Sequence, residues 1–190
     1  MVRSSEQTRQ QILDAAIEEF STYGIAGARV DRIAKAAGAN ISSLFRYYGS
    51  KARLFEAAFD ALALSSIDIV PFDAEDLPGY TGRLMDHYRA HPEIVRMSAW
   101  YQLERPAEGV PAQVVASERS KLEQIERAQA AGTVTRELRA VDLLNIVLHV
   151  SLAATGTTPI LAATPIDHAA ARRAAMTTVE RLVRPTDGRA

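Results

Sequence analysis

Residues 30–48, VDRIAKAAGANISSLFRYY, hold two short segments of helical periodicity on either side of a single glycine. Val30, Ile33, Ala34 and Ala37 fall on one face of the first segment, and Leu44 and Tyr48 fall on one face of the second. Between them, Gly38 can take the left-handed backbone that a sharp turn needs. Asn40 or Ser42 supplies a cap for the second helix, which ends at Tyr48-Gly49. Two short helices joined through such a turn describe a helix-turn-helix. If Leu44 and Tyr48 pack against the first helix, then Asn40, Ser42, Ser43, Phe45 and Arg46 are left on the opposite face.

That free face fits the major groove of duplex DNA. Small hydroxyls allow close approach to bases and phosphates, an aromatic edge can contact thymine methyls, and Arg46 and Lys51 place positive charge near phosphates. The charge distribution agrees. Residues 29–53 contain Arg29, Arg32, Lys35, Arg46, Lys51 and Arg53 against Asp31 alone, a local net of +5 in a chain whose formal net charge is −1, so the remaining residues sum to −6. A cationic footprint on one short segment points to a nucleic-acid partner.

The rest of the chain reads as helix. Ile12, Ala15, Ala16, Ile17 and Phe20 form a first helix that stops at Tyr23-Gly24, and Ser50 caps a fourth with Leu54, Phe55, Ala58, Phe59 and Leu62. Residues 70–79 are a loop by their prolines, glycine and acids. Helices follow around Tyr80–Tyr88, from Pro92 to Leu103, from Val115 to Gly132, over 140–155, and from Pro165 to about 183, with breaks at 105–111 and 156–165. No β-alternation of useful length occurs, so the expected fold is all-α with about nine helices. The expected organisation is a helix-turn-helix domain over 1–49, a connecting helix over 50–67 that alone links the halves, and a C-terminal domain over 68–190. No apolar run approaches the ~20 residues that span a bilayer, so no membrane partner is expected. The absence of cysteine fits a cytoplasmic protein.

The segment VDRIAKAAGANISSLFRYYGSKARLFEAAF, with ILDAAIEEFSTYG before it, resembles the DNA-binding domain of the TetR (tetracycline-repressor) family of bacterial transcriptional regulators. The likeness covers about residues 8–62. It implies an all-α homodimer in which an N-terminal three-helix domain binds operator DNA and a larger C-terminal domain binds a small-molecule effector and dimerises. Carried over residue by residue, it makes Arg29, Asn40, Ser42, Ser43, Phe45, Arg46, Tyr47 and Lys51 the DNA contacts, with Tyr47 and Lys51 on phosphates. The sequence departs from the family at three places. Ala28 and Arg29 stand where Thr or Ser is common, so Arg29 is expected to act in place of that cap. Phe45 replaces a commoner Tyr, and Ile41 a polar or basic residue.

In the C-terminal half, the helix EIVRMSAWYQLE is apolar on several faces, as in the middle of a bundle where pockets form. Met85, Tyr88, Met97, Trp100, Tyr101 and His149 are expected to line a pocket for an apolar or aromatic effector. His87 and His91 share a helical face, but no third ligand is evident and no metal or other cofactor is expected. No nucleophile–base grouping points to an enzyme. The helices over 140–155 and 165–183 carry more apolar surface than one layer needs. Leu144, Val147, Leu148, Met176, Val179 and Leu182 are therefore expected in a two-fold dimer interface, where Val147→Glu or Val179→Glu would give folded monomers. The leading function is a ligand-responsive homodimeric repressor on a pseudo-palindromic operator. The alternative is an effector-independent, nucleoid-type DNA binder.

Overall fold

A computed structural model describes residues 4–67, 69–104, 110–155 and 165–185. Among these residues the chain forms nine helices and no strand: α1 (Ser5–Gly27), α2 (Val30–Ala36), α3 (Ile41–Tyr48), α4 (Lys51–Ser66), α5 (Leu77–Ala90), α6 (Pro92–Glu104), α7 (Ala112–Ala131), α8 (Ala140–Ser151) and α9 (His168–Val183). They divide into two compact units, Met1–Ser66 with Pro92–Pro111, and Ile67–His91 with Ala112–Ala190. This differs from the expected organisation. Helix α6 belongs with α1–α4, and the backbone passes from one unit to the other at 66–67, 91–92 and 111–112, so α4 is not the sole link.

The first unit is built around α1. Its start is fixed by reciprocal capping, in which the Ser4 side chain accepts from the Gln7 N–H and the Gln7 side chain accepts from the Ser4 N–H. Ile12, Ala16 and Phe20 recur every four residues and are wholly buried. Leu54, Phe55 and Ala58 of α4 and Met97 and Tyr101 of α6 complete the core. The Phe20 ring meets Phe55 edge-on at 5.2 Å, and Tyr101 stacks on Phe59 at 3.8 Å. At Gly24 the backbone leaves helical geometry (φ 65°, ψ −177°), and one further turn follows to Gly27. A Cβ added there would lie 2.8 Å from the Trp100 ring.

The second unit packs α5 against α8 and α9, and α7 against α8. Its core contains Leu77, Tyr80, Leu84, Ile125, Leu143, Leu144, Val147 and Val179. Helix α5 begins three residues before the expected Tyr80, because Asp76 accepts from the Gly79 N–H and Pro78 suits the first turn. Gly82 lets α9 approach α5 closely, since a Cβ there would lie 2.7 Å from the Arg172 guanidinium. Arg172 in turn donates to Asp86 at 2.9 Å. Helix α9 starts at His168, three residues after Pro165, where Asp167 accepts from the N–H groups of Ala169 and Ala170. Helix α8 ends at Ser151, short of the expected 155, and Leu152–Thr155 form turns. The breaks expected at 105–111 and 156–165 lie largely outside the described residues.

The expected interface residues separate in this unit. Val147 and Val179 are fully buried and Leu144 nearly so, all within the chain's own core. They have almost no surface left for a second copy, so the expectation for those three is corrected: an apolar helix can be apolar because its own unit surrounds it. Leu148, Met176 and Leu182 are half-buried and keep part of their surface.

Candidate nucleic-acid interface

The turn between α2 and α3 closes through two backbone hydrogen bonds, Gly38 N–H to Lys35 O at 3.1 Å and Ala39 N–H to Ala34 O at 2.9 Å. Gly38 has φ 60°, the left-handed conformation the turn requires. Asn40 then caps α3 by accepting from the Ser43 N–H at 2.7 Å. Leu44 is wholly buried and Tyr48 nearly so, and the Tyr48 hydroxyl donates to the Arg9 carbonyl of α1 at 3.0 Å. Burial pushes the Tyr48 phenol up from its ordinary pKa. These inward contacts fix the roll of α3 and turn Asn40, Ile41, Ser42, Phe45 and Arg46 to solvent, with Ser43 half-buried.

Two expected contacts take on a structural share. The Tyr47 hydroxyl lies 2.9 Å from the Ser5 hydroxyl, and the Arg46 guanidinium lies 5.1 Å over the Tyr47 ring. The Ser5 hydrogen bond, and then Arg46, hold the Tyr47 phenol below its usual pKa. Tyr47 thus ties α3 to the first turn of α1. Lys51 opens α4 and its ammonium is 3.4 Å from the neutral Ala26 carbonyl, a long contact, and it forms no ion pair among the described residues.

Arg29 is corrected as a cap. It sits at the N-terminal cap position of α2 with no side-chain cap bond. Its guanidinium grips Asp31 through two hydrogen bonds of 3.1 and 2.9 Å, and the arginine beside it holds the Asp31 carboxyl below the usual range. The pair is exposed on both sides, so Arg29 stays a proposed phosphate contact. The cap that the sequence lacks at position 28 or 29 comes from α1: Glu19 accepts from the Arg29 N–H at 2.8 Å and from the Arg32 Nε at 2.8 Å. Arg32 also lies 4.4 Å over the Tyr23 ring. Lys35 and Arg53 are exposed and form no ion pair among the described residues. Glu19→Ala is expected to lower the unfolding free energy by about 1 kcal/mol, as removal of a cap does. Urea unfolding checks it, and an unchanged midpoint would dissociate Glu19 from the α2 terminus.

The residues expected in an effector pocket are shared between the units. Met97 and Tyr101 are core residues of the first unit, and Trp100 covers Gly24 there. Met85 is buried and Tyr88 partly so in the second, where burial raises the Tyr88 phenol. His149 is exposed, its Nδ1 2.8 Å from the Asn145 carbonyl oxygen of its own helix. The rings of His87 and His91 stand 4.8 Å apart on and just beyond α5. Among the described residues no helix is long and apolar enough to cross a membrane.

A rigidly held turn, a roll-locked second helix and an outward face of hydroxyl, aromatic and cationic side chains define a helix-turn-helix DNA-binding protein. Comparison with known proteins agrees. The family model "Bacterial regulatory proteins, tetR family" matches residues 12–58, and "Tetracyclin repressor-like, C-terminal domain" matches 76–181. The chain belongs to the TetR family of transcriptional regulators. It is 37% identical over 144 residues, 75% of each chain, to the HTH-type transcriptional repressor SCO4008 of Streptomyces coelicolor. The crystal structure of SCO4942 from Streptomyces coelicolor is similar with a TM-score of 0.82 and 35% identity, over 93% of this chain and 98% of that one. FadR of Bacillus subtilis, solved with stearoyl-CoA, shares the fold at a TM-score of 0.64 and 13% identity, over 90% of this chain and 97% of that one. Nothing in these relatives supports the nucleoid-type alternative.

Proposed function

We propose that the protein is a homodimeric repressor that binds a pseudo-palindromic operator through α3 and leaves it when a small apolar or aromatic molecule binds. The observation that carries the DNA-binding part is the exposed face of Ser42, Phe45 and Arg46 on a helix whose opposite face is locked by Leu44 and Tyr48. Similarity to the repressor SCO4008 supports the sign of regulation. The effector proposal rests on the family and on the stearoyl-CoA bound to FadR, a relative in fold. Met85 and Tyr88 of the second unit remain proposed contributors to the effector site. Release then follows from a population shift. An effector weakens operator binding only by as much free energy as it prefers the DNA-incompetent conformer, and DNA weakens effector binding by the same factor.

Two tests follow from the site. Arg46→Ala and Lys51→Ala are expected to weaken operator binding and to reduce the slope of log K against log salt by about 0.9 for each phosphate that is no longer neutralised. Titrations at several salt concentrations check this, and an unaltered slope in both variants would show that neither side chain neutralises a phosphate. For the dimer, we propose the outward side of α8 and α9, where Val141 is 49% exposed. Val141→Glu is expected to give a folded monomer by light scattering, because a carboxylate in an apolar interface goes unpaired. A dimer of wild-type mass would place the interface elsewhere.

A further inference from the structure

Helix α3 presents an apolar pair at the place where a groove-reading helix carries its base contacts. Ile41 and Phe45 are 43% and 40% exposed, four residues apart, so their side chains adjoin on one face. Exposing two large apolar groups side by side on an eight-residue helix is unfavourable until something covers them. The surrounding charge decides what the cover is. Lys35, Arg46 and Arg53 lie exposed in the same segment, which favours a polyanion over an apolar protein surface.

The hydrogen-bonding groups of α3 are partly committed elsewhere. Adenine is recognised by an amide that donates and accepts at once, and the Oδ1 of Asn40 already accepts from the Ser43 N–H. The Tyr47 hydroxyl is engaged with Ser5, and the Arg46 guanidinium lies over the Tyr47 ring. The one apolar group that duplex DNA offers in its major groove is the 5-methyl of thymine. Side chains four apart on a helix stand about 5–6 Å from each other, which covers one to two base-pair steps of about 3.4 Å. Resting on the DNA-binding reading above, we infer that Ile41 and Phe45 read thymine methyl groups at neighbouring base pairs of each half-site, and so set the operator's base preference by apolar contact. The departures at positions 41 and 45 from the family's polar and hydroxylated residues then act in concert.

The test uses the full-length chain to enrich duplexes from a randomised pool, followed by replacement of each thymine singly with deoxyuridine. That change deletes the methyl and keeps every hydrogen-bonding group. The expected result is one or two adjacent thymines per half-site at which affinity falls about fourfold per methyl. Ile41→Ala and Phe45→Ala, both at exposed positions, are expected to bind the thymine duplex more weakly, and at least one is expected to bind thymine and uracil duplexes equally. Wild type indifferent to every uracil would overturn the inference while leaving DNA binding intact. So would a uracil effect that persists undiminished in both variants. A pool in which no duplex is enriched would overturn the DNA-binding reading and the inference with it.

Discussion

Gly24→Ala is expected to destabilise the first unit by about 2–6 kcal/mol, a large part of the total stability of a domain this size. Two costs add. The backbone at Gly24, φ 65° and ψ −177°, lies in a region that only glycine occupies readily, and a side chain there stores about 1–3 kcal/mol of strain. The new Cβ would also stand 2.8 Å from the Trp100 ring, and overpacking of this kind costs about 1–3 kcal/mol. Trp100→Leu in the same background separates the costs, because it relieves the clash and leaves the strain. Chemical unfolding followed by Trp100 fluorescence measures the single variant, and far-UV circular dichroism follows the double. A Gly24→Ala protein with an unchanged midpoint would contradict both the kink and the seat of Trp100.

The second large effect concerns Val147. The sequence expectation was a folded monomer from Val147→Glu. The structure places this side chain fully buried among the core residues of the second unit, and the Val147 carbonyl accepts from Ser151 at 2.8 Å. A carboxylate there has no water and no partner, so the expected loss is about 4 kcal/mol or more, enough to unfold the unit. The circular dichroism signal should fall and thermal unfolding should lose cooperativity. A soluble, fully helical monomer would instead show that Val147 faces a second copy.

The two helices of the DNA-binding motif were legible because their determinants are local. Gly38, the Leu44–Tyr48 spacing and the Asn40 cap each act within a few residues, and periodicity reports which face is buried. Periodicity does not report what buries it. Trp100 and Met97 look like bundle residues in any setting, and only the folded chain shows that they close over α1. Val147 and Val179 mislead for the same reason, since an apolar face inside a unit and one between copies have the same composition. The fate of Arg29 turned on backbone geometry. Residues two apart do not face each other on a helix, but Arg29 is extended at the cap position (φ −123°, ψ 123°), which brings its side chain beside Asp31. Glu19 carried no local signal at all, because its partner N–H is ten residues on. The capping pair Ser4 and Gln7, by contrast, has a recognisable spacing and marks the true start of α1.

The central claim is that the outward face of α3 is what holds the operator. It is tested most directly by the Kd, at one salt concentration, of the full-length chain and its Ser42→Ala/Phe45→Ala/Arg46→Ala triple variant for a duplex enriched by the wild type. These three side chains are exposed, so helix content and melting temperature should stay within a few degrees of wild type. Affinity should fall at least about a hundredfold, the sum of roughly 1–3 kcal/mol for each base interaction removed and the missing charge on the phosphates. A folded triple variant that binds the duplex as tightly as the wild type would contradict it.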